Sequence, residues 1–256
     1  MANELSQKEI NIHLNHKLDI KVLDSIGSTN TELKNMARND EPDGSVLIAK
    51  HQTSGRGRLG RSFYSPENSG IYMSILFRPS FDASKAQLIT AAAAVCVCRA
   101  LENEGAKNLG IKWVNDIFMN DKKISGILTE VEFKRNSTEL DFLIVGIGIN
   151  VTTSDFPDDI KNIAGSVFDK NDIDKNKITA NILNSLCDFY NNIEALDFLE
   201  EYKTRSILKN RDVVLVSPNN EINAKVLGID DKCQLIVEVS DGTISHISTG
   251  EVSVRF

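Results

Sequence analysis

Several things are scarce in this chain, and each scarcity closes off a class of protein. The four cysteines, Cys96, Cys98, Cys187 and Cys233, form no Cys-x-x-Cys pair. The two close ones fall two residues apart in an alanine-rich helical stretch, where side chains diverge by about 200°. A disulfide framework and a thiolate zinc site are therefore not expected. His13, His16, His51 and His246 are scattered without ligand spacing, so a protein-held transition metal is not expected either. Positive charge is in deficit, with 29 Lys and Arg against 36 Asp and Glu and a net charge of -7. That is the wrong sign for a surface that coats nucleic acid, which needs many cations neutralising phosphates together. No apolar run reaches the roughly 18 to 20 residues of a membrane-crossing helix. The opening MANELSQKEI has no basic stretch leading into an apolar one, which gives no sign of a secretory leader. The expectation is a cytoplasmic protein with no membrane partner.

What is present is ordinary except in one place. Hydrophobic residues at 41% and charged residues at 25% suit a soluble globular chain, and 256 residues suit one large core with a small one appended. Against the acidic background, residues 55–61 read GRGRLGR. Arg56 and Arg58 offer planar donors that match carboxylate or phosphate, and Gly55, Gly57 and Gly60 let the main chain approach a ligand. Taken alone, the segment reads as an anion clamp, as a solvated loop, or as an arginine–glycine tract for single-stranded nucleic acid.

The surrounding pattern predicts an organisation. A strand begins at Ile20 and leads through a turn into a helix, where Thr29 and Glu32 have capping-box spacing and Asp40, Pro42 and Gly44 supply the stop. Ser28, Thr29 and Asn30 then sit at a helix N-terminus, which offers unpaired N–H groups and partial positive charge, or simply caps itself. Strands are predicted over 45–52 and 70–79, with the arginine loop between them. Residues 83–104 read as a packed helix. IKWV and IFM flank Asn115-Asp116, and Asn120-Asp121 turns the chain into KKISGILTEVEF. LDFLIVGIGINV reads as a central strand in which Gly146 and Gly148 permit close approach. A single helix is predicted over 178–206, from Ile182, Leu186, Phe189, Ile193 and Leu196 at helical spacing. After Lys209, five short alternating strands separated by turn residues read as a small SH3-like β-barrel. The predicted class is α+β: a mixed, mostly antiparallel central sheet packed with helices over 1–209, and the small barrel over 210–256.

STN, QTSGRGRLGR and KWVNDIFMNDKKISG together resemble the catalytic domain of the biotin protein ligases. GILTE, GIGIN and the terminal GEVSVR follow in the same order, so the resemblance runs from about Leu23 to Arg255. It implies a class II synthetase-like catalytic fold and a two-step reaction. Biotin and ATP, with Mg²⁺, form biotinyl-5'-adenylate and pyrophosphate; the biotinyl group then passes to a lysine of a biotin carboxyl carrier domain. The chemistry asks for cations, because a carboxylate must approach a phosphate while negative charge grows on the leaving group.

By motif position, the resemblance implies biotin contacts at Ser28, Thr29, Asn30, Gln52, Arg56, Gly57, Arg58, Lys123 and Gly126. Lys123 takes the place of the catalytic lysine, and Arg56 and Arg58 lie on the catalytic loop. A nucleotide environment is implied at Arg58, Arg61, Lys112, Trp113, Asn115, Asp116, Lys123 and Asn150, with Asp116 near Mg²⁺ through phosphate or water. Lys112 and Asp116 have an alternative reading as a surface ion pair, Trp113 as core, and Arg61 as a solvated residue. Val114 departs from the family's proline, and Phe63 stands where tryptophan is common. The resemblance also implies a homodimer. About 20 residues precede the first catalytic strand, too few for the DNA-binding domain some members carry, so no DNA partner is expected. The competing readings are a lipoate-type ligase, whose fold is related, and an RNA-binding module built on the arginine loop.

Overall fold

The structure is a computed structural model describing residues 4–169, 172–217, 220–248 and 250–254. Pro218 and Arg255, which the sequence reading placed in a turn and at the end of GEVSVR, lie outside the described residues. Seven strands form the main sheet: β1 (Asp19–Ile26), β2 (Ser45–Gln52), β3 (Gly70–Phe77), β4 (Leu109–Lys112), β5 (Asp116–Met119), β6 (Lys122–Phe133) and β7 (Leu140–Asn150). Their spatial order is β1-β2-β3-β7-β6-β5-β4. Only β1 and β2 run parallel; every other neighbouring pair is antiparallel. The α+β class read from the sequence is the one observed.

Both faces of this sheet are covered, which explains why β3 is buried along its whole length. On one face lies α3 (Ala86–Asn103), whose run of alanines lets the helix axis approach the strands closely. Behind it packs α4 (Lys175–Asn191). By length and composition, Ala83–Asn103 is apolar enough to cross a membrane, which corrects the expectation that no such run exists; here it is 72% buried inside the fold. On the other face, α2 (Thr29–Ala37) closes a second apolar cluster through Leu33 and Ala37 against Leu47, Leu76, Phe142 and Ile144.

Two helical predictions need correction. The amphipathic run 178–206 is not one helix: α4 stops at Asn191, and the chain passes Leu196 at φ 55 before α5 (Leu199–Thr204) begins. The apolar spacing continues across that break because both segments face the same core, so periodicity alone could not reveal it. The chain before β1 also carries an unpredicted helix, α1 (Gln7–Ile12). It is strapped to α4 by buried asparagines. Asn176 Oδ1 accepts from Ser6 N at 2.9 Å, and Asn184 Oδ1 accepts from Asn15 N at 2.8 Å.

The C-terminal strands are β8 (Asp212–Ser217), β9 (Asn220–Ile229), β10 (Leu235–Val239), β11 (Ile244–Ile247) and β12 (Glu251–Val254). They make a separate five-stranded antiparallel sheet in the order β11-β10-β9-β8-β12, the small SH3-like unit. Its Cys233 carbonyl accepts from Trp113 Nε1 at 2.8 Å and from Gln87 Nε2 at 2.5 Å, docking it on the main domain.

Tyr202 of α5 is fully buried, and its hydroxyl donates to the Val114 carbonyl at 2.9 Å. Burial holds its phenol far above the usual tyrosine range, so it stays a neutral donor. Tyr202→Phe leaves that carbonyl buried without a partner, at an expected cost of about 1–2 kcal/mol. The check is a lowered thermal midpoint relative to the unaltered chain.

Candidate active site

One cavity lies at the ends of β2, β5, β6 and β7, and its wall includes most of the residues singled out in the sequence. Ser28, Thr29 and Asn30 reach it from the N-terminus of α2; Gln52 comes from the end of β2; Arg56, Gly57, Arg58 and Arg61 come from the arginine loop. Lys112, Trp113, Asn115 and Asp116 come from the β4–β5 corner, and Lys123 and Gly126 from the start of β6. Five cations, Arg56, Arg58, Arg61, Lys112 and Lys123, share this wall with one carboxylate, Asp116. In a chain of net charge -7, this is a concentrated positive field in a concave, low-dielectric setting.

The polar end is built by the α2 terminus. Ser28 occupies the N-cap position with extended backbone but makes no side-chain capping bond. The expected Thr29–Glu32 capping box is therefore absent, and Glu32 is exposed. Thr29 is instead held from the sheet: its N–H donates to Gln52 Oε1 at 2.9 Å, and its hydroxyl lies 3.2 Å from the same oxygen. Gln52 Nε2 donates in turn to Ser65 Oγ at 2.9 Å. Asn30 Nδ2 donates to the Leu128 carbonyl and to Glu130 Oε2, each at 3.1 Å. Gly146 is required beneath this amide, since a Cβ there would collide with Asn30 Oδ1.

The arginine loop is folded over the cavity. Gly57 N donates to the Arg61 carbonyl at 2.7 Å and Phe63 N to the Gly55 carbonyl at 2.9 Å. The tip passes Leu59 at φ 54 and Gly60 at φ 76. Arg56 Nη1 pairs with Glu130 Oε2 at 3.1 Å. Arg58 reaches across to the hairpin corner, donating to Asn115 Oδ1 at 2.9 Å and to the Gly250 carbonyl of the C-terminal unit at 3.3 Å. Phe63 forms the apolar lid, and Gly148 lies under it: a Cβ there would come within 2.6 Å of the ring.

The opposite wall follows from the β5–β6 turn. Asn120 and Asp121 both have positive φ, 51 and 61, as a two-residue hairpin of this kind requires. The turn brings Lys123 back beside Asp116, with Nζ 2.6 Å from Oδ1. Gly126 leaves room for the ammonium, since a Cβ there would stand 3.2 Å from Nζ. Trp113 is buried and spends its indole N–H on Cys233, so its alternative reading as core describes its contacts, although it also forms part of the wall. The Trp113–Val114 peptide is cis.

Asn150 stands apart from the other predicted residues. It ends β7 but does not line the cavity; its Nδ2 donates to the Gly165 carbonyl at 3.1 Å and its own carbonyl accepts from Val167 N at 2.9 Å. It fastens the segment after β7, which also grips Lys123 through the Ile163 carbonyl. Ser74 and Glu130 were missed. Ser74 is the one small polar side chain in the GIYMSILF strand, whose other hydroxyl is that of Tyr72, which was the available signal; Glu130 lay within the recognised GILTE motif without being assigned.

A cationic cavity with a separate hydroxyl-and-amide end defines an enzyme for anionic substrates that carry a polar group at the far end. Residues 22–150 match the biotin/lipoate A/B protein ligase family, and residues 210–255 match the biotin protein ligase C terminal domain. The bifunctional ligase/repressor BirA of Bacillus spizizenii is 33% identical over 98% of this chain and 79% of its own length. A biotin–[acetyl-CoA-carboxylase] ligase of Mycobacterium tuberculosis is 29% identical over 91% of this chain and 88% of its own. The structure of the Aquifex aeolicus biotin protein ligase in complex with biotin and ATP superposes with a TM-score of 0.77 and 28% identity, covering 93% of this chain and 98% of that one. This chain belongs to the biotin/lipoate A/B protein ligase family.

Arg58 is the tie between loop, hairpin corner and C-terminal unit. Arg58→Ala removes both of its anchors, and amide hydrogen exchange over residues 55–62 is expected to rise about tenfold or more; unchanged protection would mean that the loop's backbone bonds suffice.

Proposed function

We propose that the chain activates biotin with ATP and transfers it to a lysine of a biotin carboxyl carrier domain. The observation that carries this reading is that Arg58 and Lys123, 65 positions apart in sequence, line one cavity whose far end is the Ser28–Thr29–Asn30–Gln52 cluster. The cluster supplies donors and acceptors for a ureido ring, Phe63 and the glycine floor cover the bicycle, and the carboxylate tail points to the cations.

In the first step a carboxylate oxygen bonds to the α-phosphorus while the bond to the β-phosphate oxygen breaks and pyrophosphate leaves. Lys123 sits between the two anions as a point charge, and Arg56 and Arg58 offset the charge that builds on the phosphoryl oxygens. In the second step the carrier's neutral lysine amine attacks the acyl carbon, AMP leaves, and an amine proton is released. Arg61, Lys112, Trp113 and Asn115 form the nucleotide side. Among the described residues no group of three or more His, Cys, Asp or Glu suits a metal ion; Mg²⁺ held by the nucleotide phosphates would supply charge neutralisation there, and Asp116, the one carboxylate of the wall, would be the residue to serve its water shell. Asn150 acts on this side through the segment it fastens. The folded loop excludes water from the mixed anhydride. The carrier belongs to a biotin-dependent carboxylase, the enzyme works in the cytoplasm without DNA or membrane partners, and two copies pair through the outer edge of β1, which no described strand covers. Residues 1–209 are proposed as the catalytic domain and 210–256 as the SH3-like domain.

Biotin-dependent exchange of pyrophosphate into ATP tests the first step. Lys123→Ala is expected to slow it by about 10²–10³, whereas lipoate in place of biotin should give no exchange. Exchange that does not depend on biotin would reject the reading. Arg58→Gly is expected to release adenylate and to label lysines on bystander proteins, read by mass spectrometry of a mixture of carrier and albumin.

A further inference from the structure

β6 outruns its neighbour at the cavity. The β6–β7 ladder stops at Ser125 opposite Ile149, and β7 ends at Asn150, paired with Gly70 on its other side. Lys122, Lys123 and Ile124 therefore extend past the last position that β7 pairs. On the β5 side the register shifts between Ile117 and Phe118, immediately before Phe118 pairs with Lys123. An irregularity of this kind disrupts the ladder locally. The lysine central to the proposed chemistry thus stands where the main sheet grips its backbone least.

The segment after β7 fills that gap. Residues 163–165 run parallel to the start of β6, with Ala164 bridged to Lys123. Lys123 N donates to the Ile163 carbonyl at 2.8 Å and Gly165 N donates to the Lys123 carbonyl at 2.9 Å, so both backbone polar groups of Lys123 are taken up by this segment. Asn150 Nδ2 fixes the segment in turn through the Gly165 carbonyl at 3.1 Å, and Val167 N and Phe168 N donate to the Asn150 and Val151 carbonyls, each at 2.9 Å. Glycine is required at 165 for room rather than for conformation. Its φ is not positive, but a Cβ there would stand 2.8 Å from Lys122 Cβ. Ile163, Ala164 and Gly165 form no part of the cavity wall, so what they do for the reaction passes through Lys123.

We propose that Gly165 is a positioning residue that sets the backbone of Lys123, its segment standing in for the neighbouring strand that β7 does not supply. This rests on the reading of Lys123 as the point charge between a carboxylate and a phosphate, and adds what holds it there. Lys123 Nζ lies 2.6 Å from Asp116 Oδ1. An ammonium that leaves one carboxylate to meet two other anions swings on a flexible four-carbon stem, so its backbone is the fixed point of the motion. A displacement of about 1 Å at such a point is enough to slow a reaction by about 10².

The test is pyrophosphate exchange on the full chain. Gly165→Ala is expected to lower kcat about tenfold or more, while the biotin KM moves less than about threefold because the hydroxyl-and-amide end is untouched. In a Lys123→Ala background the same substitution is expected to change the residual exchange by less than about twofold, since the group it positions is gone. Lys122→Gly removes the obstructing Cβ, so Lys122→Gly/Gly165→Ala is expected to return to within about threefold of Lys122→Gly alone. If Gly165→Ala does not fold, amide hydrogen exchange of the unaltered chain by NMR decides, with the Lys123 and Gly165 amides expected to be protected about a hundredfold or more. The proposal is overturned by an unchanged kcat in Gly165→Ala, by a further loss beyond about twofold in the Lys123→Ala background, by no recovery in the Lys122→Gly pair, or by a Lys123 amide that exchanges as in an open chain. Each of those results leaves the biotin assignment standing. Absence of biotin-dependent exchange in the unaltered enzyme overturns both.

Discussion

Arg58 donating to Asn115 Oδ1 joins two segments that lie 57 residues apart. Without that contact the arginine loop and the hairpin corner would be separate basic features of an acidic protein. With it they enclose one volume, and five cations share its wall with a single carboxylate. Everything else in the fold serves the placement of these two walls. The antiparallel pairing of β5 with β6 returns Lys123 to Asp116, the loop between β2 and β3 has both its feet in the sheet, and α3 keeps that sheet rigid from behind.

The site also has a second polar layer. Thr29, Asn30, Gln52, Ser65 and Ser74 are linked side chain to side chain within an otherwise apolar sheet. Such a network is costly unless its members are satisfied, and once satisfied it fixes a unique arrangement. Ser28, the N-cap of α2, makes no side-chain capping bond and lines the same cavity, so its hydroxyl is not spent on its own helix terminus.

Much of this was legible in the sequence because the local signals agreed with one another. Strand 45–52 was read to its exact ends, and the Asn120-Asp121 turn and the glycines at 146 and 148 announced their geometry. The five C-terminal strands were visible as alternation between turn residues. What failed was information that exists only after folding. The break after Asn191 is hidden because both sides of it feed one core, and α1 is held by asparagines on a distant helix. Thr29 left its expected capping role because Gln52 and Ser74 compete for its polar atoms. Asn150, placed by motif among the nucleotide residues, turned out to point into the following segment, and no local pattern reports which way a strand's last residue faces.

The indole of Trp113 belongs to the cavity wall, yet its hydrogen bond ends on a carbonyl of the small C-terminal unit, and Arg58 reaches a second carbonyl of the same unit. The small unit is therefore a fastening as well as an appendage. The cavity wall thus draws on both sheets, so a change that loosens the C-terminal unit removes a support of Trp113 and of Arg58 as well.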